Sequence, residues 1–254
     1  MTLGTLGLAR SHDEAVSIFE REEQARIRAA ISRVQIFKDL PAEAIDDLAS
    51  NVSTRRALGG APVVSQSEPG DALYILMSGR AKVVMVGENG REVTLSVLRP
   101  HDVFGEVSLF EGCRRTASVI ALEPVTALAL GRDALVRHLA DHPRTALNLL
   151  GELARRLRRA DETIAELALC DVEDRLIRRL VHLAKEDQTD LEGGMLIRRR
   201  PTQQDLANMV GSCRETISRT YNQLARRGLI EPRGRALLVT RRLFDLVAAP
   251  AQAA

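Results

Sequence analysis

The ten residues Val210-Gly211-Ser212-Cys213-Arg214-Glu215-Thr216-Ile217-Ser218-Arg219 carry the most readable chemistry in the chain. Arginine ends in a planar fork of donors that matches O6 and N7 of guanine, and glutamate accepts from the N4 amine of cytosine. Arg214, Glu215, Ser218 and Arg219 are therefore suited to reading base edges in a DNA major groove. If residues 213 to 227 form a helix, Cys213, Ile217, Tyr221 and Leu224 share its inner face. The four readers and Asn222 then point outward from the first turns, the part of such a helix that reaches bases. Glu215 has a second use open to it. Ser212-x-x-Glu215 spells a capping box, in which the carboxylate returns to the helix start. Thr202, Ser212, Thr216, Arg233 and Arg235 are expected at the DNA backbone, and Arg226 and Arg227 at phosphates or water.

The flanking sequence supplies the elements such readers need. Thr202 is placed to cap a helix from Gln203 to Val210, Gly211 to break it, and Ser212 to cap the next helix. Counted from Gln203, Ala207 is fifth, Gly211 ninth and Ile217 fifteenth. A helix-turn-helix needs a small residue, a tight turn and a buried β-branched residue at those places. After the second helix, Arg233-Gly234-Arg235 sits between the apolar stretches Gly228–Ile230 and Ala236–Val239, a β-hairpin wing with a basic tip. From Leu196 to Arg242 eleven arginines face only Asp205, Glu215 and Glu231, a local charge of +8. A chain of net charge +2 therefore carries −6 over its remaining residues. A compact basic end on an acidic body is the electrostatic footprint of a nucleic-acid module, although a solvated charged face gives the same numbers.

Upstream, Leu150, Leu157 and Ile164 recur every seven residues, and Leu153, Ala160 and Leu167 form the matching series. That a/d seam of nearly three heptads suits a partner helix, with a single helix lying on its own domain as the alternative. Between Gly59 and Leu130 the texture is different. Short apolar runs (62–64, 73–76, 81–86, 92–98, 118–122 and 126–130) are separated by turn signals such as Pro69-Gly70-Asp71 and Asn89-Gly90, which predicts an antiparallel barrel. Helices are expected from Asp13 to Arg33, with Val16, Ile18, Phe19 and Ile27 apolar, and over Ala42–Ser50, Arg132 to Asp171 and Val172 to Lys185, with a hinge near Cys170-Asp171. Aromatics are scarce, at 3%, so Leu, Val, Ile and Ala must build the cores. No apolar run approaches the roughly 18 residues of a membrane span. Met1–Arg10 lacks the pattern of a signal peptide. Cys113, Cys170 and Cys213 form no metal-ligand spacing and are expected to be free thiols in a reducing, cytoplasmic setting. No P-loop, nucleophile elbow or paired metal-binding histidines support an enzyme. A nucleotide-sensing regulatory subunit would leave the basic module unexplained.

Together these segments resemble the cAMP receptor protein/fumarate-nitrate reductase regulator (Crp/Fnr) family over about Ile31 to Val239. The resemblance rests on the recognition segment, on Pro69-Gly70-Asp71-x-Leu73-Tyr74 and Ser78-Gly79, and on Phe104–Leu109 followed by Arg115-Thr116-Ala117. It implies an α+β fold: an N-terminal extension (1–30), a cyclic-nucleotide-binding-type β-roll or jelly-roll barrel (31–140), a dimerisation helix and hinge (141–171) and a winged helix-turn-helix (172–254). It implies a homodimeric transcription regulator that reads a TGTGA-like palindrome in double-stranded DNA through Arg214, Glu215 and Arg219, with RNA polymerase as a further partner and no membrane. A cyclic nucleotide effector would meet Gly105, Glu106, Arg115, Thr116 and Ala117, with Arg115 on the cyclic phosphate and Glu106 on the ribose 2′-OH. A structural Glu106–Arg115 ion pair in an empty barrel is the competing account. Where the family's cAMP-binding members place a Thr-Ser pair against adenine, this chain has Ala160 and Asp161. The phosphate end therefore matches, and the base end, where Asp161 is the candidate contact, does not. The family's iron–sulfur type needs N-terminal cysteines, which precede Cys113 nowhere in this chain, and no metal is expected.

Overall fold

The computed structural model describes residues 21–248. They fall into two compact units. One takes in the described residues up to Val86 together with Leu95–Arg155, the other Gly87–Thr94 together with the described residues from Arg156 onward. The chain enters through helix α1 (residues 21–31), on which Ile27 and Ile31 are buried. Val16, Ile18 and Phe19, assigned to the same helix by sequence, lie outside the described residues. A 3-10 turn, Gln35–Phe37, leads to α2, Ala42–Ser50, which Pro41 introduces in an extended conformation.

Strands β1 (Val52–Ala57), β2 (Pro62–Val64), β3 (Ala72–Ser78), β4 (Ala81–Val86), β5 (Glu92–Leu98), β6 (Val103–Phe104), β7 (Ser118–Ala121) and β8 (Val125–Gly131) build the barrel. They form two four-stranded sheets, ordered β1-β8-β3-β6 and β2-β7-β4-β5. Side chains alternate across a strand, so β3 serves two cores at once. Leu73 and Ile75 pack with helical residues such as Ile31, Phe37 and Leu48, while Ala72, Tyr74 and Leu76 pack inside the barrel with Phe104 and Ala127. Burial on both faces is why this strand reads as a continuous apolar run. β8 does the same, with Leu128 and Leu130 toward the helices and Val125 and Ala127 inward. A short helix, α3 (Glu106–Glu111), runs between β6 and β7 with left-handed glycines, Gly105 and Gly112, at its two ends.

The helical stretch after the barrel is two helices, α4 (Arg132–Asp141) and α5 (Pro143–Leu169), because proline disfavours helical backbone at the preceding His142. Only Thr145 and Leu149 of α5 are buried. Leu157 is 65% exposed and Ile164 63%, Leu150 and Leu167 are also exposed, and Leu153 is half-buried. A helix lying on its own domain would have hidden this stripe. The division between the units falls within α5, and the helix itself ends at Leu169. Asp171 caps α6 (Val172–Asp187) by accepting from the Asp174 amide at 2.8 Å.

The second unit continues with β9 (Asp190–Leu191), β10 (Gly194–Ile197), α7 (Gln203–Val210), α8 (Arg214–Arg226), β11 (Ile230–Arg233), β12 (Ala236–Thr240) and α9 (Arg241–Ala248). The hairpin of β11 and β12 is widened by β10 and β9 into a four-stranded sheet. A single core of Leu176, Leu180, Leu206, Ile217, Leu224, Leu237 and neighbouring apolar residues joins sheet to helices. Among the described residues no helix is long and apolar enough to cross a membrane.

Candidate nucleic-acid interface and effector pocket

The helix-turn-helix has its three diagnostic residues in place. Ala207 and Ile217 are fully buried where α7 and α8 cross. Gly211 ends α7 at φ 66, a left-handed conformation that glycine adopts without strain. A Cβ there would also stand 3.1 Å from Leu167 Cδ2, so the turn has no room for a side chain without displacing Leu167.

Two local expectations are corrected. The capping box belongs to α7, not α8. Thr202 Oγ1 accepts from the Asp205 amide and Asp205 Oδ2 accepts from the Thr202 amide, each at 3.1 Å. α8 starts one residue later than expected, with Cys213 as its N-cap in extended conformation and no side-chain cap. Ser212 therefore lies outside the helix, and no Ser212–Glu215 box forms. The same shift takes Cys213 off the buried face, where only Ile217, Tyr221 and Leu224 remain, and leaves it exposed.

The outward face carries Arg214, Glu215 and Arg219 exposed, with Ser218 half-buried beside them. Glu215 is held ionised: its own backbone amide, the neighbouring Cys213, and then Arg214 and Arg219 lower its pKa. Thr216 Oγ1 accepts from Arg219 Nη2 at 3.4 Å, so a side chain expected at the phosphates also leans on a reader. Arg233 and Arg235 stand exposed at the wing turn, where Gly234 adopts φ 60 and Arg233 pairs with Glu231 at 3.1 Å. A cleft opens between the start of α7, the side of α8 and β11, and among its walls are Arg200, Thr202, Arg214, Tyr221 and Pro232. Arg200 and the Tyr221 hydroxyl were not singled out by sequence. The run Arg198-Arg199-Arg200 ahead of a capped helix was the available signal for the first.

In the barrel unit the residues expected to hold a cyclic phosphate gather around Arg115, whose side chain is only 3% exposed. Its Nη1 donates to Gly105 O at 2.8 Å and its Nη2 to Ala72 O at 2.9 Å, with Ser108 Oγ at 3.4 Å. The guanidinium stacks over Tyr74, 5.3 Å from the ring centre, and the exposed Asp71 carboxylate approaches to 3.8 Å. Gly105 has φ 87, and a Cβ on it would meet Arg115 Nη1 at 2.5 Å, so this glycine makes the cradle possible. Glu106 is buried at the start of α3, Ala117 is half-buried and Thr116 is exposed. A buried guanidinium with donors to spare, satisfied by carbonyls and facing one solvated carboxylate, fits a phosphate as its anion. A second arginine, Arg55, donates to the Tyr74 hydroxyl at 3.2 Å and lines a depression with Ser53, Asp71 and Ala129. Asp161 and Ala160 lie on the exposed surface of α5 in the second unit.

The cyclic nucleotide-binding domain family matches residues 54–142 and the Crp-like helix-turn-helix domain residues 174–244. The chain is 35% identical over 210 residues to the CRP-like cAMP-activated global transcriptional regulator of Mycobacterium tuberculosis, spanning 83% of this chain and 94% of that one. It is 35% identical over 198 residues to the cyclic AMP receptor protein of Thermus thermophilus, spanning 77% and 87% respectively. The structure of CLP, the c-di-GMP-responsive global regulator of Xanthomonas campestris, superposes with a TM-score of 0.71 at 25% identity over 79% of this chain and 99% of that one. This chain, with its cyclic nucleotide-binding barrel and DNA-binding helix-turn-helix, belongs to the Crp/Fnr family of transcription regulators, not to a family of enzymes.

Proposed function

We propose that the chain works in the cytoplasm as a homodimer that reads a TGTGA-like palindrome. The observation that carries this reading is the outer face of α8: Arg214, Glu215 and Arg219 are exposed together, opposite a fully packed inner face, and Glu215 is not engaged in a cap with Ser212. Arg214 and Arg219 offer forks to guanines, Glu215 accepts from a cytosine amine, and Ser218 lies between them. Thr202, Ser212, Thr216, Arg233 and Arg235 serve the sugar-phosphate backbone and set the register. The stripe of Leu150, Leu153, Leu157, Ile164 and Leu167, exposed but for the half-buried Leu153, is the dimer seam, and two-fold symmetry turns one half-site into a palindrome. RNA polymerase is the partner through which a DNA-bound dimer would act.

The domain plan proposed with this reading assigns 1–30 to an extension, 31–140 to the barrel, 141–171 to the dimerisation helix and hinge, and 172–254 to the winged module. In the barrel, Arg115 takes the phosphate of a nucleotide effector in the place Asp71 half fills, Glu106 the ribose, and Gly105, Thr116 and Ala117 the surrounding cradle. The relatives named above are described as cAMP-activated or as cyclic AMP receptors. For this chain Ala160 offers no hydroxyl to adenine and Asp161 brings a charge, so DNA binding is proposed not to require cAMP. Calorimetry of the protein with cAMP, cGMP and cyclic dinucleotides, followed by mobility shift on the palindrome with and without each, tests both halves. Binding to DNA only when cAMP is added would overturn the second.

A further inference from the structure

Among the described residues, the Tyr221 hydroxyl is one of several buried polar groups whose hydrogen bonding is incomplete, Arg179 Nε being another in the same unit. The residue is 7% exposed, it shares a core with Ile217 and Leu224, and its buried oxygen has Arg200 as a hydrogen-bonding neighbour but no acceptor for its own proton. A buried hydroxyl whose proton has no acceptor destabilises a fold, and phenylalanine would pack the same space without that penalty. Tyr221 belongs to the wall of the cleft between α7 and the wing, where Arg200, Thr202, Gln203 and Arg214 also line the space. Arg200 is its charged neighbour. Burial pushes the phenol pKa up, against the opposing pull of Arg200, so the group stays a protonated donor at neutral pH. A guanidinium has donors only and cannot accept that proton.

We propose that Tyr221 is a DNA-backbone ligand: its hydroxyl, together with Arg200 and the first turn of α7, receives one non-bridging phosphate oxygen of each half-site. A phosphodiester supplies what the cleft lacks. It accepts from the phenol, from the guanidinium and from the free amides at the start of an eight-residue helix capped by Thr202. The recognition helix thereby acts from two sides. Its outer face reads bases, and its inner face sends one hydroxyl through the core to hold the backbone that fixes its register. The penalty carried by the free protein is removed on binding.

This inference rests on the DNA-binding reading above, and the test separates the two. Wild type, Tyr221→Phe and Arg200→Gln are titrated by fluorescence anisotropy against a TGTGA palindrome and a scrambled duplex over a range of salt, with a thermal melt of each free protein. Tyr221→Phe is expected to melt at the same temperature or higher while binding both duplexes about a hundredfold more weakly, one hydrogen bond to a charged group, worth about tenfold, being lost at each of the two half-sites. Its salt slope should not change, because a neutral hydroxyl displaces no counterion. Arg200→Gln should weaken both duplexes and reduce the slope by about one per half-site. Unaltered affinity in either variant overturns the proposal, as does a Tyr221→Phe protein whose preference between the duplexes changes. A wild type that binds neither duplex would instead overturn the DNA-binding reading itself.

Discussion

Arginine is the proposed working residue of both units, and it is kept in opposite ways. On α8, Arg214 and Arg219 stand in water until a partner arrives, whereas Arg115 in the barrel is locked away with its donors on Gly105 and Ala72 carbonyls. An exposed guanidinium contributes little to folding, so its value is all in recognition. A buried one must be satisfied before any ligand comes, so it is part of the fold and of the site together. The same substitution should therefore break different properties in the two units.

The largest difference is expected from Arg115→Ala. It strips the buried Ala72 carbonyl and the part-buried Gly105 carbonyl of a charged donor and should destabilise the barrel by about 3 kcal/mol, read as a lower urea midpoint, as well as abolishing nucleotide binding. Arg219→Ala should leave the urea midpoint within about 0.5 kcal/mol of wild type. It should weaken DNA binding by about 1–3 kcal/mol per contacted base pair and relax one G·C position in a competition assay. Arg233→Ala at the wing should be milder, lowering affinity for all sequences alike and reducing the salt slope by about one. An Arg115→Ala protein as stable as wild type would erase the contrast.

A smaller effect sharpens the comparison from the barrel side. His138 is buried at the end of α4, its Nε2 3.1 Å from Oγ1 of the fully buried Thr145, with the His142 ring 4.9 Å away and Phe37 edge-on. Burial first, and then His142, lowers its pKa, with Asp47 and Asp141 opposing. The unfolded chain then binds the proton more readily than the folded one. This stability is present above the ordinary histidine value of about 6.5 and is lost as pH falls through that value toward the lowered one. Melts between pH 7.5 and 5 should show the barrel weakening toward acid, and His138→Gln should flatten that slope. An unchanged slope would remove His138 as its source.

The two units also differ in how much of them was legible. β3 and β8 announced themselves because they are apolar on both faces, and the helix-turn-helix because Ala207, Gly211 and Ile217 are tied to one geometry. β1 was missed because Val52–Ala57, an edge strand, has four exposed residues in its middle and no alternation to detect. α3 was missed because it is six residues long and defined by the left-handed glycines around it. The capping box left open as an alternative use of Glu215 forms at the other helix, because Ser212-x-x-Glu215 and Thr202-x-x-Asp205 are equivalent as strings and only the one-residue offset of α8 distinguishes them. The exposed positions on α8 follow from helical period, since exposure needs no partner. The acceptors of Arg115 are main-chain carbonyls, which leave no trace in side-chain pattern, and the destination of the Tyr221 hydroxyl depends on a cleft assembled from three elements.

Selection of sites from a random duplex library tests the central claim most directly, with wild type and Glu215→Gln run in parallel. Glu215 does not cap α8 with Ser212, so the substitution should leave the fold intact and change only the group offered to a base. Wild type is predicted to enrich two inverted TGTGA-like half-sites about one helical turn apart, and Glu215→Gln to lose preference at one position in each. An unpaired half-site, or an identical palindrome returned by Glu215→Gln, would contradict the account.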